Sequence, residues 1–351
     1  VKFRELMTND NFHNWLEELT DIKGIIENIS MSAAIYQEGS YLQCHDDKLE
    51  GRRIAYIYYL VPEDWSEKEG GALSLFEVER DGIPKAEPYK SVVPLRNSLF
   101  IFLVSVNSFH RVEQLLSDRG RMTIGGWFHG PPLPYPDIIP EPNPYALTSL
   151  PKEIKSKPSL KDWITPIYLT EEAQNDIQIQ FEEDSQIKLH EFILKDKYDS
   201  LLELVKSKKN DYYTVKSPPL HRYYLGRDCD INDTSLLGEF YRVLLCDEFI
   251  ELLNKITGLE LSQYFCELRR FESNHFTLMH DGDARKDITA LDCMFYLIDD
   301  KEWDDDWGGY TSYNDEEGEL LTVTPSSNTL ALVYCDNGTS RFTKLIRHGI
   351  P

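Results

Sequence analysis

No stretch of the 351 residues approaches the roughly 18 consecutive apolar side chains that a membrane-spanning helix requires, so such a helix is excluded. Cysteine is sparse. The six residues Cys44, Cys229, Cys246, Cys266, Cys293 and Cys335 are widely spaced without a CxxC pair, which argues against a zinc knuckle or a dense disulfide framework and fits a reducing compartment. Basic charge is in short supply: 37 Lys and Arg stand against 60 Asp and Glu, leaving −23. That charge repels phosphate backbones and anionic headgroups, so neither direct nucleic-acid binding nor a membrane surface is expected. It would favour encounter with a basic protein; simple solubility is the alternative reading. A charged-then-apolar leader is missing from the N-terminus, although the chain opens on Val1 and not on Met.

What is present is length enough for two domains and an apolar fraction of 41%, ordinary for a globular chain. "DNFHNWLEELTDIKGI", from Asp10, carries apolar residues at helical spacing behind an Asp/Asn start signal and predicts an amphipathic helix. Short runs rich in β-branched and aromatic residues follow: "RRIAYIYYLV", "GGALSLFEV", "KSVVPL", "NSLFIFLVSV" and "RMTIGGWF". Separated by turn clusters, they read as a β-sandwich or barrel. Residues 130–158 hold nine of the eighteen prolines, a density that prevents regular helix or central strand. The division expected is therefore 1–130, a linker at 131–160, and 161–351. In the last part, "LTEEAQ" offers Thr170 as a helix cap, "LKDKYDSLLELV" a second helix, and "EFYRVLLCDEFIELLNKITG" a single helix ended by Gly258.

The two ends of the chain echo one another. "CHDD", "YYLVPEDWSEKEGGALSLF" and "NSLFIFLV" are answered in the same order by "MHDGD", "FYLIDDKEWDDDWGGYTSY" and "NTLALVYC". His45 matches His280, Gly70-Gly71 matches Gly308-Gly309, and Asn97 matches Asn328. Three matches in one order point to duplication of a β-rich module.

Chemistry concentrates in the first copy. Non-haem iron(II) is commonly held by two histidines and one carboxylate on one face, with three positions left open. In "YLQCHDDKLEGRRIAYIYYL", His45 and Asp47 stand at i and i+2, which share one side of an extended strand. Such a triplet also arises by chance, and a solvated turn is the alternative. A third ligand would come from a distant strand, and "SFHRV" offers His110. Eleven residues on, "RMTIGGWF" begins with Arg121, whose planar fork pairs bidentately with a carboxylate and whose burial without one would be costly.

These residues carry a resemblance. H-x-D, a distal His, and an Arg followed two residues later by Thr123 resemble the signature of 2-oxoglutarate and Fe(II)-dependent dioxygenases. "YLQCHDDKLEGRRIAYIYYL", "GGALSLF", "SFHRV" and "RMTIGGWFHGP" resemble more specifically the ribosomal-protein prolyl hydroxylases, including a fungal branch in oxygen-dependent control of a sterol-responsive transcription factor. The resemblance implies a mainly β fold with flanking helices: two double-stranded β-helix (jelly-roll) modules in tandem, the second degenerate. It implies that His45, Asp47 and His110 hold Fe(II) as catalytic and metal residues. Arg121 would grip the distal carboxylate of 2-oxoglutarate, with Tyr36 hydrogen-bonding it and Thr123 nearby; for Tyr36 a core role is the alternative. The cofactors implied are Fe(II), 2-oxoglutarate and dioxygen, with ascorbate a further candidate. The reaction implied is hydroxylation of a prolyl residue in a basic small-subunit ribosomal protein, in nucleus and cytoplasm. The competing reading is an oxygen-sensing regulatory binding protein controlling the stability of a transcription factor, with the C-terminal module as the partner platform. A cupin-like metal protein without cosubstrate would leave Arg121 unexplained.

The second copy departs from the pattern. In "HDGD" the farther carboxylate, Asp283, lies at i+3 from His280, and counting thirteen residues from Asn328, as His110 lies thirteen from Asn97, lands on Arg341. Arginine cannot serve as a metal ligand at neutral pH, so a non-catalytic module is expected.

Overall fold

The structure, a computed structural model, describes residues 2–49, 51–79, 82–133, 147–149, 158–227, 230–279, 283–299 and 302–347. The chain divides into two compact units, Val1–Ile139 with Ser217–Arg222, and Pro140–Lys216 with Tyr223–Pro351. Most of the proline-rich stretch expected as a linker lies outside the described residues. Ser217–Arg222, which a division along the sequence does not foresee, counts with the first unit, where Arg222 Nη2 pairs with Glu87 Oε1 at 2.6 Å.

Among the described residues eight strands build the first unit: β1 Ile29–Tyr36, β2 Leu42–His45, β3 Arg52–Tyr59, β4 Leu73–Leu75, β5 Lys90–Val92, β6 Leu99–Leu103, β7 His110–Val112 and β8 Arg121–His129. They form two four-stranded sheets in the orders β1-β8-β3-β6 and β2-β7-β4-β5. Chain-adjacent strands thus alternate between sheets except at β4 and β5, which pair within one sheet, and this is the jelly-roll winding the resemblance implies. Strand alternation decides what each face does. On the β1-β8-β3-β6 sheet, Ile29, Ile54, Tyr56 and Phe128 face outward and pack with Met7 of helix α1 (Lys2–Met7) and Leu16 of α2 (Asp10–Thr20). Asn9 caps α2, its side chain accepting from the Asn11 amide. The opposite face carries Tyr36, Tyr59, Arg121, Thr123 and Trp127; Tyr59 packs beside Arg121, and the other four line a cavity between the sheets.

The second unit carries α3 Glu171–Asp184, α4 Lys195–Ser207, α5 Leu236–Leu245 and α6 Asp247–Thr257. Thr170 caps α3, accepting from the Ala173 amide. Gly258 ends α6 in the left-handed conformation. The single helix expected over 239–258 is two helices. Cys246 adopts extended backbone (φ −77°, ψ 152°), and its amide closes back on the Val243 carbonyl. The break has no Gly or Pro to announce it. Asp247 and Glu248 then supply the acidic first turn of a new helix. Apolar faces of all four helices join Trp163, Phe192, Leu330 and Leu332 in one core.

Duplication is visible in register. Strands Ser340–Thr343, Thr311–Asn314 and Glu319–Val323 pair in that order, matching β7-β4-β5. Ala290–Tyr296 pairs with Thr329–Cys335 as β3 pairs with β6. Gly70 and Gly308, at φ +70° and +74°, each lie so close to a following backbone carbonyl, of Gln114 or Leu345, that a Cβ would collide with it. Asn97 and Asn328 are both left-handed, at φ 56° and 45°. Leu75 stands opposite His110, and Tyr313 opposite Arg341. The register therefore puts Arg341 where the first unit has His110.

Candidate metal centre

His110 opens β7 and His45 ends β2, and the two are directly opposed across that antiparallel pair. Opposed residues project side by side, and the two rings lie 4.3 Å apart, centroid to centroid. Each Nδ1 sits against a main-chain carbonyl two residues back, His45 against Gln43 at 2.7 Å and His110 against Ser108 at 2.8 Å. A carbonyl only accepts, so each Nδ1 carries a proton and each Nε2 is the atom turned to the cavity.

Asp47 completes the group by a route that strand alternation does not describe. The strand ends at His45, and Asp47 has φ +60°, a left-handed conformation that is uncommon outside glycine. That turn, and not a shared strand face, swings its carboxylate between the histidines. Oδ1 lies 3.3 Å from His45 Nε2 and Oδ2 3.4 Å from His110 Nε2. Ser108 ties the two loops together by donating its hydroxyl to the Asp46 carbonyl at 2.8 Å. Burial would raise the Asp47 pKa, but His110, His45 and the Trp127 indole hold it well below the ordinary carboxylate range.

One ligand atom from each of His45, Asp47 and His110 lies within 4.8 Å of the others. Two neutral imidazoles and one carboxylate, open on the cavity side, fit the donor set of a non-haem iron(II) oxygenase.

Deeper in the cavity, of about 140 Å³, Arg121 is 1% exposed. Its Nε and Nη2 are buried without any hydrogen-bond partner. Tyr36, its partner across β1 and β8, and Tyr59 of β3 flank the guanidinium at 5.1 and 5.2 Å. Burial pushes the Arg121 pKa down, yet arginine keeps its proton at neutral pH. A buried cation with two unused donor atoms calls for an anionic guest, and the fork of a guanidinium fits a carboxylate. Gly71 makes room for it: at φ +68°, a Cβ there would sit 2.7 Å from Arg121 Cδ. Thr123 lines the same cavity on the same face of β8.

All six residues singled out in the sequence thus line one cavity. Three that were not singled out belong with them. Tyr59 brings a buried hydroxyl without a partner to the Arg121 end. Trp127 donates its indole N–H to Asp47 Oδ2 at 3.0 Å, and Arg52 stacks on Trp127, 3.5 Å from the ring centroid. The signal for Tyr59 and Trp127 was period two, since each continues the inward-facing alternation of its strand.

In the second unit, His280 and Asp281 lie outside the described residues. Asp283 is buried and bonded to Arg285, with its pKa lowered; burial opposes that shift and Arg285 outweighs it. Arg341 pairs with Asp292 Oδ2 at 2.5 Å, and the Tyr313 hydroxyl donates to the same oxygen at 3.0 Å. A fixed cation therefore stands where the first unit has His110.

The 2OG-Fe(II) oxygenase superfamily matches residues 31–129, and the family described as "Oxoglutarate and iron-dependent oxygenase degradation C-term" matches residues 155–349. The chain is 35% identical to the prolyl 3-hydroxylase OGFOD1 of Xenopus laevis, over 97% of this chain and 72% of that one. It is 33% identical to the Mus musculus protein of the same name, over 98% and 74%. Prolyl 3-hydroxylase sudestada1 of Drosophila melanogaster is 29% identical, over 96% and 68%. A solved Pseudomonas putida prolyl-4-hydroxylase is 25% identical, covering 34% of this chain and 62% of that one at a TM-score of 0.28.

Proposed function

The chain belongs to the family of 2-oxoglutarate- and iron(II)-dependent oxygenases that carries the degradation C-terminal domain, and from that membership we propose that it hydroxylates a prolyl residue, at ring carbon 3, in a basic small-subunit ribosomal protein. The observation that carries the reading is the pairing of two sites in one cavity: His45, Asp47 and His110 at one end, and the unpartnered Arg121 at the other. The first three would hold the iron. Arg121, with the Tyr36 and Tyr59 hydroxyls, would hold the far carboxylate of 2-oxoglutarate, so that its keto-acid end is aimed at the metal. Once bound, iron(II) supplies the activation of dioxygen that a protein side chain cannot.

Orientation and exclusion of water fall to the chain itself. The Nδ1–H bonds to Gln43 and Ser108 fix both imidazole tautomers and ring angles before metal arrives. Phe102 packs edge-on against His110 at 4.7 Å, and Tyr36 and Tyr59 wall the Arg121 end with rings, which strengthens the electrostatic grip there. The formal charge of −23 supports a basic substrate. The relatives' names support the 3-position, whereas an Ostreococcus tauri relative, 28% identical, is named a prolyl 3,4-dihydroxylase. The proposed places of action are those where such a substrate is made and assembled, the nucleus and cytoplasm.

A second role is favoured by one observation: the family matching residues 155–349 is described by degradation. The C-terminal module would then recognise a regulatory partner and govern its stability with oxygen, while residues 1–130 carry catalysis. Incubating this chain with Fe(II), 2-oxoglutarate and isolated small-subunit proteins, followed by peptide mass spectrometry, tests the main reading. A single added oxygen on one prolyl residue, lost with Asp47→Ala, is expected. Turnover of 2-oxoglutarate with no prolyl product on any small-subunit protein would overturn it.

A further inference from the structure

A two-histidine, one-carboxylate centre keeps three positions open only while its carboxylate gives the metal a single oxygen. Asp47 has two oxygens facing the ligand cluster, so something must hold one of them back. We propose that Trp127 is a positioning residue that, clamped by Arg52, keeps Asp47 a one-oxygen ligand; this rests on the iron-centre reading above and deepens it.

The geometry points to that division of labour. The Trp127 indole N–H donates to Oδ2 at 3.0 Å. An indole nitrogen is a donor only and cannot ligate a metal, so its contact occupies a lone pair of Oδ2, which otherwise stands as near its histidine (3.4 Å from His110 Nε2) as Oδ1 does (3.3 Å from His45 Nε2). Binding through both oxygens would set the metal in competition with the indole for Oδ2. Oδ1 has no such restraint: the nearest guanidinium nitrogen, Arg52 Nη1, is 3.9 Å away, too far to hydrogen-bond. The same Nη1 donates to the Asp47 main-chain carbonyl at 3.3 Å, on the residue whose left-handed backbone creates the site. Arg52 also lies over the Trp127 ring, so one guanidinium braces both the donor and the backbone of the acceptor. Trp127 is set by β8, the strand that also sets Arg121, so the ligand end and the carboxylate-gripping end of the cavity share one rigid element.

The test needs no substrate. Co(II) alone is titrated into the metal-free full chain, reading affinity and the visible ligand-field spectrum, which reports ligand number. Trp127→Phe keeps a ring beneath Arg52 and deletes the N–H. It is expected to weaken Co(II) about 10- to 100-fold, the usual effect of losing an outer partner of a ligand, and to change the spectrum of the loaded protein. Arg52→Met keeps the indole and removes the clamp, and a smaller loss with a spectral change in the same direction is expected; if the Phe variant does not fold, this one decides. Wild-type affinity and an unchanged spectrum in the folded variants would overturn the inference. So would a lower melting temperature with the spectrum intact, which is what mere packing would give. Failure of the unaltered chain to bind Co(II) would instead sink the iron-centre reading itself.

Discussion

Replacing Arg121 with methionine should move two measured quantities in opposite directions. Arg121 is 1% exposed, with Nε and Nη2 lacking hydrogen-bond partners, so the cosubstrate-free chain carries a buried cation that Tyr36 and Tyr59 compensate only in part. The effective penalty for such a charge is several kcal/mol, and the two flanking tyrosines return roughly 2 kcal/mol each at most, leaving a net cost of about 1–3 kcal/mol. Methionine fills much of the same space without charge. The metal-free, cosubstrate-free Arg121→Met chain should therefore be more stable by about that amount, or some 2–4 °C per kcal/mol for a domain of this size. Affinity for 2-oxoglutarate should fall in the same variant, because losing one partner of a buried charge pair costs roughly 2–5 kcal/mol, about 30- to several-thousandfold. Thermal melts of the metal-free chain read the first effect, and melts with redox-silent Mn(II), with and without 2-oxoglutarate, read the second. At a hundred times its Kd the ligand adds about 2.7 kcal/mol to the unaltered chain, and at that concentration it should add almost nothing to the variant. A variant that melts lower without ligand, or is protected by 2-oxoglutarate as well as the parent, would refute the reasoning.

Further outcomes follow from other parts of the molecule. Gly71→Ala puts a methyl 2.7 Å from Arg121 Cδ at a φ of +68°, so it should raise KM for 2-oxoglutarate more than it lowers kcat, as steady-state turnover with varied cosubstrate will read. Asp292→Ala strips Arg341 of a carboxylate 2.5 Å away and should destabilise the second unit by roughly 3–5 kcal/mol in denaturant unfolding, while Co(II) still binds the first. The Asp283 pKa is lowered in the folded chain, so its contribution is present above the unfolded value of about 3.9 and is lost as pH falls through the folded one. Asp283→Asn should therefore flatten the acid limb of the stability-pH curve and lower stability at neutral pH.

Much of the first unit was legible because jelly-roll strands are short, apolar and bounded by turn residues. "RRIAYIYYLV", "NSLFIFLVSV" and "RMTIGGWF" each became a strand of the cavity's sheet. The strand β1 was not, since "ISMSAAIY" is rich in small residues; it lies at the sheet edge, where Ser32, Ala33, Ala34 and Ile35 are exposed and only its start, at Ile29 and Met31, packs into the core. The break at Cys246 was hidden for a different reason: extended backbone at a single ordinary residue leaves no compositional mark. At the site, the residue types and order were readable, but the cause of their convergence was misjudged. Asp47 reaches the histidines through a left-handed turn, and left-handed aspartates cannot be told from others in a string of letters. Tyr59 and Trp127 show in the sequence only as inward-facing positions of their strands; what they and Arg52 touch is hidden, because contacts between residues as far apart in the chain as Trp127 and Asp47, 80 positions, are a property of the fold alone.

The most direct test of the central claim is anaerobic titration of the full chain with Fe(II) and 2-oxoglutarate, followed by the visible charge-transfer absorption of a chelated keto acid. The expected result is saturation at one iron and one 2-oxoglutarate per chain, with the band lost in Asp47→Ala and in Arg121→Met at matched concentrations while both variants stay folded. Saturation at two irons per chain, or an undiminished band in the Asp47→Ala variant, would contradict it.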